Sequence, residues 1–178
     1  MNSEIRSARL LQDRKRLEAL VERLAGRIAI KEISGNPPSR YLLAFKCRSI
    51  SVVRSGTPTF TDEHIVEVVL PEEYPLGRIG NAKPLVNFKT PIFHPHVFTN
   101  RTLCIGDKIR VTEFLDLFVQ RLGEIIRFNP DYINPASPAN AEAIKWVQQN
   151  GKLLPTDPFE FIASTREPAT KIIWRDHQ

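Results

Sequence analysis

Three β-prone runs at short spacing, with turn chemistry between them, predict an antiparallel meander. IAIKEI (28–33) alternates, YLLAFKCRSISVV (41–53) is a long run and HIVEVVL (64–70) closes the set. SGNPPS (34–39) and the turn-rich RSGTPTFTDE (54–63) separate them. PEEYPLGRIGNAKP (71–84) breaks the pattern with three prolines and two glycines, and LVNFKT (85–90) offers a fourth strand.

Helices flank this block. Over residues 4–25, Leu10, Leu17 and Leu24 repeat at seven, and Leu17, Leu20, Val21 and Leu24 form an apolar stripe. Arg6, Arg9, Arg14, Lys15, Arg16 and Arg23 crowd the remaining surface, as a solvated face or as a docking helix. Downstream, Thr112 is a candidate cap for a helix with Leu115, Phe118, Leu122, Ile125 and Ile126 on one face, ended by Asn129-Pro130. Ser137 with Pro138 predicts the start of another helix that runs to about Asn150. Asp157-Pro158 is a candidate start for a short helix, and the tail carries the apolar groups FEFI and IIW. The expected fold is an α+β domain: N-terminal helix, four-stranded antiparallel meander, active-site loop and C-terminal helices. Residues 1–150 form the core and 151–178 an extension packed on it through Phe159, Phe161, Ile172, Ile173 and Trp174.

The 178 residues suffice for one domain with a real core, and 42% of them are hydrophobic. No apolar run reaches the roughly eighteen residues of a membrane span. The start, MNSEIRSARL, is charged where a signal peptide needs an apolar core, so a cytoplasmic protein is expected. Two cysteines in a reducing compartment read as free thiols. The net charge is +5, and seven basic against four acidic residues within 1–27 supply +3 of it. No nucleic-acid motif or aromatic platform accompanies that charge, which argues against a nucleic-acid partner.

From Pro91 to Arg110 there is no helix or strand periodicity, and long irregular segments inside compact domains are often functional. Cys104 lies there, near Arg101, Lys108 and Arg110, and eight residues after His96. A reactive thiol needs exposure and positive potential, whereas most lone cysteines are buried and inert. Cys47, inside the second strand, fits that inert description. With only His64, His94, His96 and His177, no Cys-His protease arrangement is legible. Two cysteines 57 positions apart match no zinc spacing, so neither a metal nor another cofactor is implied.

Several pieces, in order, resemble the ubiquitin-conjugating enzymes. These are Tyr74-Pro75 after LPEE, the strand Val86–Thr90, the turn Ile92-Phe93-His94-Pro95-His96-Val97, Leu103-Cys104-Ile105, and Asn129–Ala141 before the penultimate helix. The likeness covers roughly residues 4–150. It implies that Cys104 accepts the C-terminal glycine of a ubiquitin-like protein from an activating enzyme as a thioester and passes it to a lysine of a protein target. The first helix, through Arg6, Arg9, Arg14, Lys15 and Arg16, would meet the activating enzyme, and Tyr74 with Pro75 would form half of a ligase-docking surface.

The departures are specific. His96 stands where the family has Asn; it either donates a hydrogen bond to the oxyanion, making transfer pH-dependent, or braces the loop with His94. Asn134 occupies the place of an acidic residue that orients the incoming lysine, and Asp107 either supplies the missing acid or is an exposed loop carboxylate. The loop Gly106–Thr112 is short and lacks Trp, which implies work without a typical ligase or with an unfamiliar one. These features resemble the divergent bacterial conjugating enzymes, which occur in antiviral operons with their own activating enzyme. The rival expectation is a catalytically inactive scaffold that binds ubiquitin-like proteins, against which the retained Cys104 argues.

Overall fold

The computed structural model describes residues 3–77, 80–81, 83–105, 113–155 and 157–162. Helix α1 (Ser3–Arg23) comes first, and the chain leaves it through Gly26 at φ +85, a left-handed position that suits glycine. Strands β1 (Ile28–Ser34), β2 (Arg40–Arg54) and β3 (Thr57–Val69) follow. Two two-residue strands, β4 (Leu76–Gly77) and β5 (Gly80–Asn81), pair with each other before β6 (Leu85–Phe88). The main sheet is antiparallel, in the order β1-β2-β3-β6. Helices α2 (Leu115–Ile126) and α3 (Ala141–Gln149) complete an α+β architecture. Among the described residues, no helix is long and apolar enough to cross a membrane.

The expected turn-rich connection at 54–63 is largely strand. Ser55 (φ 48) and Gly56 (φ 81) make a two-residue hairpin turn, and Arg54 pairs with Thr57 immediately after it. This end of the hairpin is mostly not buried, so burial imposes no apolar alternation that a reader could find. One apolar face packs against the helices: Tyr41, Leu43 and Phe45 of β2 and Val66 and Val68 of β3 meet Leu10 and Leu17 of α1 and Leu122 of α2. A smaller cluster of Ile50, Phe128, Trp146 and Val147 seats α3 under the hairpin, and Trp146 Nε1 donates to Gly56 O at 3.0 Å.

The apolar stripe of α1 contains a carboxylate, Asp13, at 0% exposure. It accepts from Arg9 Nε, from the Tyr74 hydroxyl and from the Leu115 N–H, each at 2.9 Å. Phe114 gives α2 no side-chain cap, so the capping oxygen comes from α1 instead. The proposed cap Thr112 lies outside the described residues. Helix α3 starts three residues later than the Ser137-Pro138 reading: Asn140 is its cap and accepts the Ala143 N–H at 3.0 Å.

The expected helix at Asp157-Pro158 is absent from the described residues up to 162. Asp157 instead accepts from the Arg48 N–H (3.1 Å) and the Phe159 N–H (2.9 Å) and pairs with Arg27 (3.4 Å). Phe161 follows, enters the main core and stacks edge-on to Phe45 at 5.9 Å. Ile172, Ile173 and Trp174 lie outside the described residues.

Candidate active site around Cys104

The segment after β6 lacks periodicity because its hydrogen bonds change partner every few residues. Lys89 N–H donates to Ile65 O and Phe93 N–H to Ile50 O, both at 2.8 Å. Arg101, at φ 69, closes a turn by donating its N–H to Phe98 O at 2.8 Å. The chain then returns alongside itself: Phe98 N–H donates to Thr102 O (2.9 Å) and Cys104 N–H to His96 O (2.7 Å), around the bridge Val97–Leu103. Leu103 N–H also donates to Val86 O at 3.0 Å, which fixes this ribbon to β6.

Successive side chains in such a ribbon alternate sides. Val97 (1% exposed) and Leu103 (5%) enter the core, so their neighbours His96 and Cys104 share the opposite side as direct cross-strand partners. Cys104 is half-buried there. His96 is only 8% exposed because the stretch 134–140 lies over it. Its Nε2 accepts the Asn134 N–H at 2.9 Å, and the preceding Pro95 O accepts from Ala139 N–H (2.8 Å) and Asn140 N–H (3.0 Å).

These bonds assign the protons. A neutral imidazole that accepts at Nε2 carries its proton on Nδ1. Burial lowers the His96 pKa, in keeping with that neutral form. His94 has the other tautomer: its Nδ1 accepts the His96 N–H at 3.1 Å, and its Nε2 is buried without a hydrogen-bond partner. Its ring meets Phe128 edge-on at 4.5 Å, and burial, then the neighbouring His96, push its pKa down to about 3. Both histidines brace the turn, and only His96 stands opposite Cys104.

Asn134 joins the site through its backbone. Its side chain is exposed, and its Oδ1 accepts the Ala136 N–H at 3.0 Å in a local turn. Asp107 lies outside the described residues. Cys47 is buried in β2, and burial pushes its thiol up to about 12, which removes it as a nucleophile at neutral pH.

The basic face of α1 is less free than its sequence reads. Arg9 bonds Asp13, the Tyr74 hydroxyl (3.0 Å) and Glu113 O. Arg16 makes a two-pronged bond to Asp116 at 2.9 and 3.1 Å, and Arg6 reaches Pro71 O at 3.1 Å. These three hold α1 to α2 and to the 70–75 turn. Arg14 and Lys15 are exposed, and Arg14 pairs with exposed Glu18 at 2.8 Å. Tyr74 and Pro75 are buried, so the expected docking surface is corrected to an internal anchor. Sequence reasoning missed Asp13, although a carboxylate between Leu10 and Leu17 on a helix stripe was the available signal. It also missed the carbonyl of Pro95 and the amide of Asn134, which no side chain announces. A comparison with protein-family models finds no family that matches this chain.

Proposed function

We propose that this chain is a carrier that holds the C-terminal glycine of a ubiquitin-like protein as a thioester on Cys104 and transfers it to a lysine of a protein target. One observation carries the reading: the register sets the half-buried Cys104 opposite His96, whose imidazole can donate a hydrogen bond but has no lone pair left to take a proton. A cysteine hydrolase needs that lone pair as its base. A carrier does not, because in thioester exchange thiolate is both nucleophile and leaving group. The Cys104 thiolate adds to the activating enzyme's thioester carbonyl and expels that enzyme's thiolate. The lysine amine then adds to the same carbonyl, the C–S bond to Cys104 breaks, and the amine proton passes to water. A donor beside the carbonyl stabilises the oxyanion in both steps.

The element order supports a fold like that of the ubiquitin-conjugating enzymes, with the activating enzyme and the ubiquitin-like protein as partners. The test is ATP-dependent charging by a cognate activating enzyme on a non-reducing gel. Wild type and Cys47→Ser are expected to form a thiol-sensitive adduct, and Cys104→Ser none. Arg14→Glu/Lys15→Glu is expected to charge more slowly, with the deficit shrinking at high salt. Unchanged charging of that double variant would return the face to plain solvation. An activating enzyme that charges itself but never this chain would favour the scaffold reading.

A further inference from the structure

We propose that the backbone amide of Asn134 is a positioning group for the Cys104 chemistry: it locks His96 in the tautomer whose Nδ1–H serves as the oxyanion donor. The inference rests on the carrier reading and deepens it. His96 and Cys104 are cross-strand partners on one side of the ribbon. With Nε2 committed to Asn134 at 2.9 Å, Nδ1 is the ring nitrogen left for the thioester carbonyl, and it holds a proton. Without that N–H, either nitrogen could be protonated and half of the site's donor strength would be lost to the wrong tautomer.

Among the described residues, the surroundings keep this assignment independent of nearby charge. The covering stretch is Asn134-Pro135-Ala136-Ser137-Pro138-Ala139-Asn140, with no ionisable side chain. His94, with its ring 5.8 Å away, is buried and neutral. Cys104 stands opposite His96 in the register of the ribbon. The Phe128 side brings Arg127, which is paired with Glu124 at 2.9 Å. The donor is therefore neutral at physiological pH, and the expected pH-dependent transfer is confined to acid conditions, where imidazolium could no longer accept from Asn134.

Single-turnover aminolysis separates the backbone from the side chain. Cys104 is loaded by exchange with a Gly-Gly peptide thioester of 2-mercaptoethanesulfonate, excess reagent is removed, and free lysine is added while intact mass follows the adduct. The Cys104 thiolate expels 2-mercaptoethanesulfonate; lysine then expels the Cys104 thiolate and loses a proton to water. Discharge is expected to fall about 100-fold in His96→Ala, which removes the donor, and about two- to fivefold in Asn134→Pro, which has no N–H and leaves a tautomer mixture. Ile133, at φ −104 and ψ 111, suits a following proline. His96→Asn, which keeps a neutral donor, should restore most of the rate, and Asn134→Ala, which keeps the N–H, should match wild type. His96→Ala/Asn134→Pro should be no slower than His96→Ala alone. In nitrogen spectra of labelled histidine, wild type and Asn134→Ala should show protonated Nδ1 and bare Nε2 for His96, and Asn134→Pro a mixture.

A bare Nδ1, an unimpaired His96→Ala, or an Asn134→Ala as slow as Asn134→Pro would each overturn the proposal. A chain that discharges in this pattern but never charges with ATP overturns the carrier reading and not the lock. The reverse pattern overturns the lock and not the reading.

Discussion

Replacing Phe161 with alanine is expected to destabilise the protein by about 3–5 kcal/mol, the usual cost of emptying a buried phenylalanine site. The side chain is 1% exposed, twelve residues beyond the end of α3. It stacks on Phe45 and Phe159, and its ring rests directly on the backbone of Gly123 in α2. The buried Glu124 carboxylate fixes this approach: Oε1 accepts the Phe161 N–H at 2.6 Å and the Ile162 N–H at 3.1 Å, while Oε2 takes Asn129 Nδ2 at 2.7 Å. The extension thus supplies core to the domain.

Gly123 makes the argument sharper, because the sign of one substitution depends on the other residue. In a free helix, Gly→Ala gains about 1 kcal/mol. Here a Cβ would meet the Phe161 ring at Cγ, at Cδ2 (2.6 Å) and at Cδ1 (2.7 Å), and a ring enclosed by core cannot swing away. Gly123→Ala is therefore expected to destabilise wild type by about 1–3 kcal/mol. In a Phe161→Ala background it should become neutral or stabilising. Urea unfolding of the four chains checks this; a stabilising Gly123→Ala in wild type would place Phe161 elsewhere.

Acid should begin to destabilise the protein before its carboxylates titrate, and His64 and His94 should be the cause. His64 is fully buried on the core face of β3, and neither ring nitrogen has a hydrogen-bond partner. Burial pushes its pKa to about 4; the backbone of Cys47 and Thr61 favours the charged form, but without good hydrogen-bond geometry, and burial wins. His94 is pushed to about 3. Both values lie below the ordinary 6.5, so between them the unfolded chain binds more protons than the folded one. Stability is full above about pH 6.5 and is lost as the pH falls, toward 4 for His64 and toward 3 for His94, by on the order of 3 and 5 kcal/mol at the limit.

His64→Leu should abolish the first part. It should also stabilise the protein by about 1 kcal/mol at neutral pH, since two unpaired buried nitrogens are removed at similar volume. Denaturant unfolding at about pH 5 and about pH 7.5 measures both effects. An identical pH slope in wild type and His64→Leu would contradict the assignment.

Much of the fold was readable because burial writes itself into sequence. Leu10, Leu17 and Leu20 are core, and the four main strands fall where β-prone runs stand. What could not be read was which polar group answers which. Six basic residues on α1 look alike in sequence, yet Arg6, Arg9 and Arg16 tie internal joints while Arg14 and Lys15 face outward. Tyr74 reads as a loop aromatic, but its hydroxyl has a carboxylate waiting on α1. The sequence singles out Cys104, His96 and Asn134, and the structure connects them through a carbonyl and an amide that every residue type carries. Position along the chain singles out residues and cannot tell a side-chain contact from a backbone one.

The most direct test of the carrier account is to locate the bond. The protein is charged with its activating enzyme, a ubiquitin-like protein and ATP, then digested without reductant at mildly acid pH and mapped by mass. The expected result is the partner's C-terminal glycine joined to the Cys104 peptide, cleaved by added thiol, with the Cys47 peptide unmodified. A linkage at Cys47 or at a lysine with Cys104 free, or no linkage beside a fully charged activating enzyme, would contradict the account.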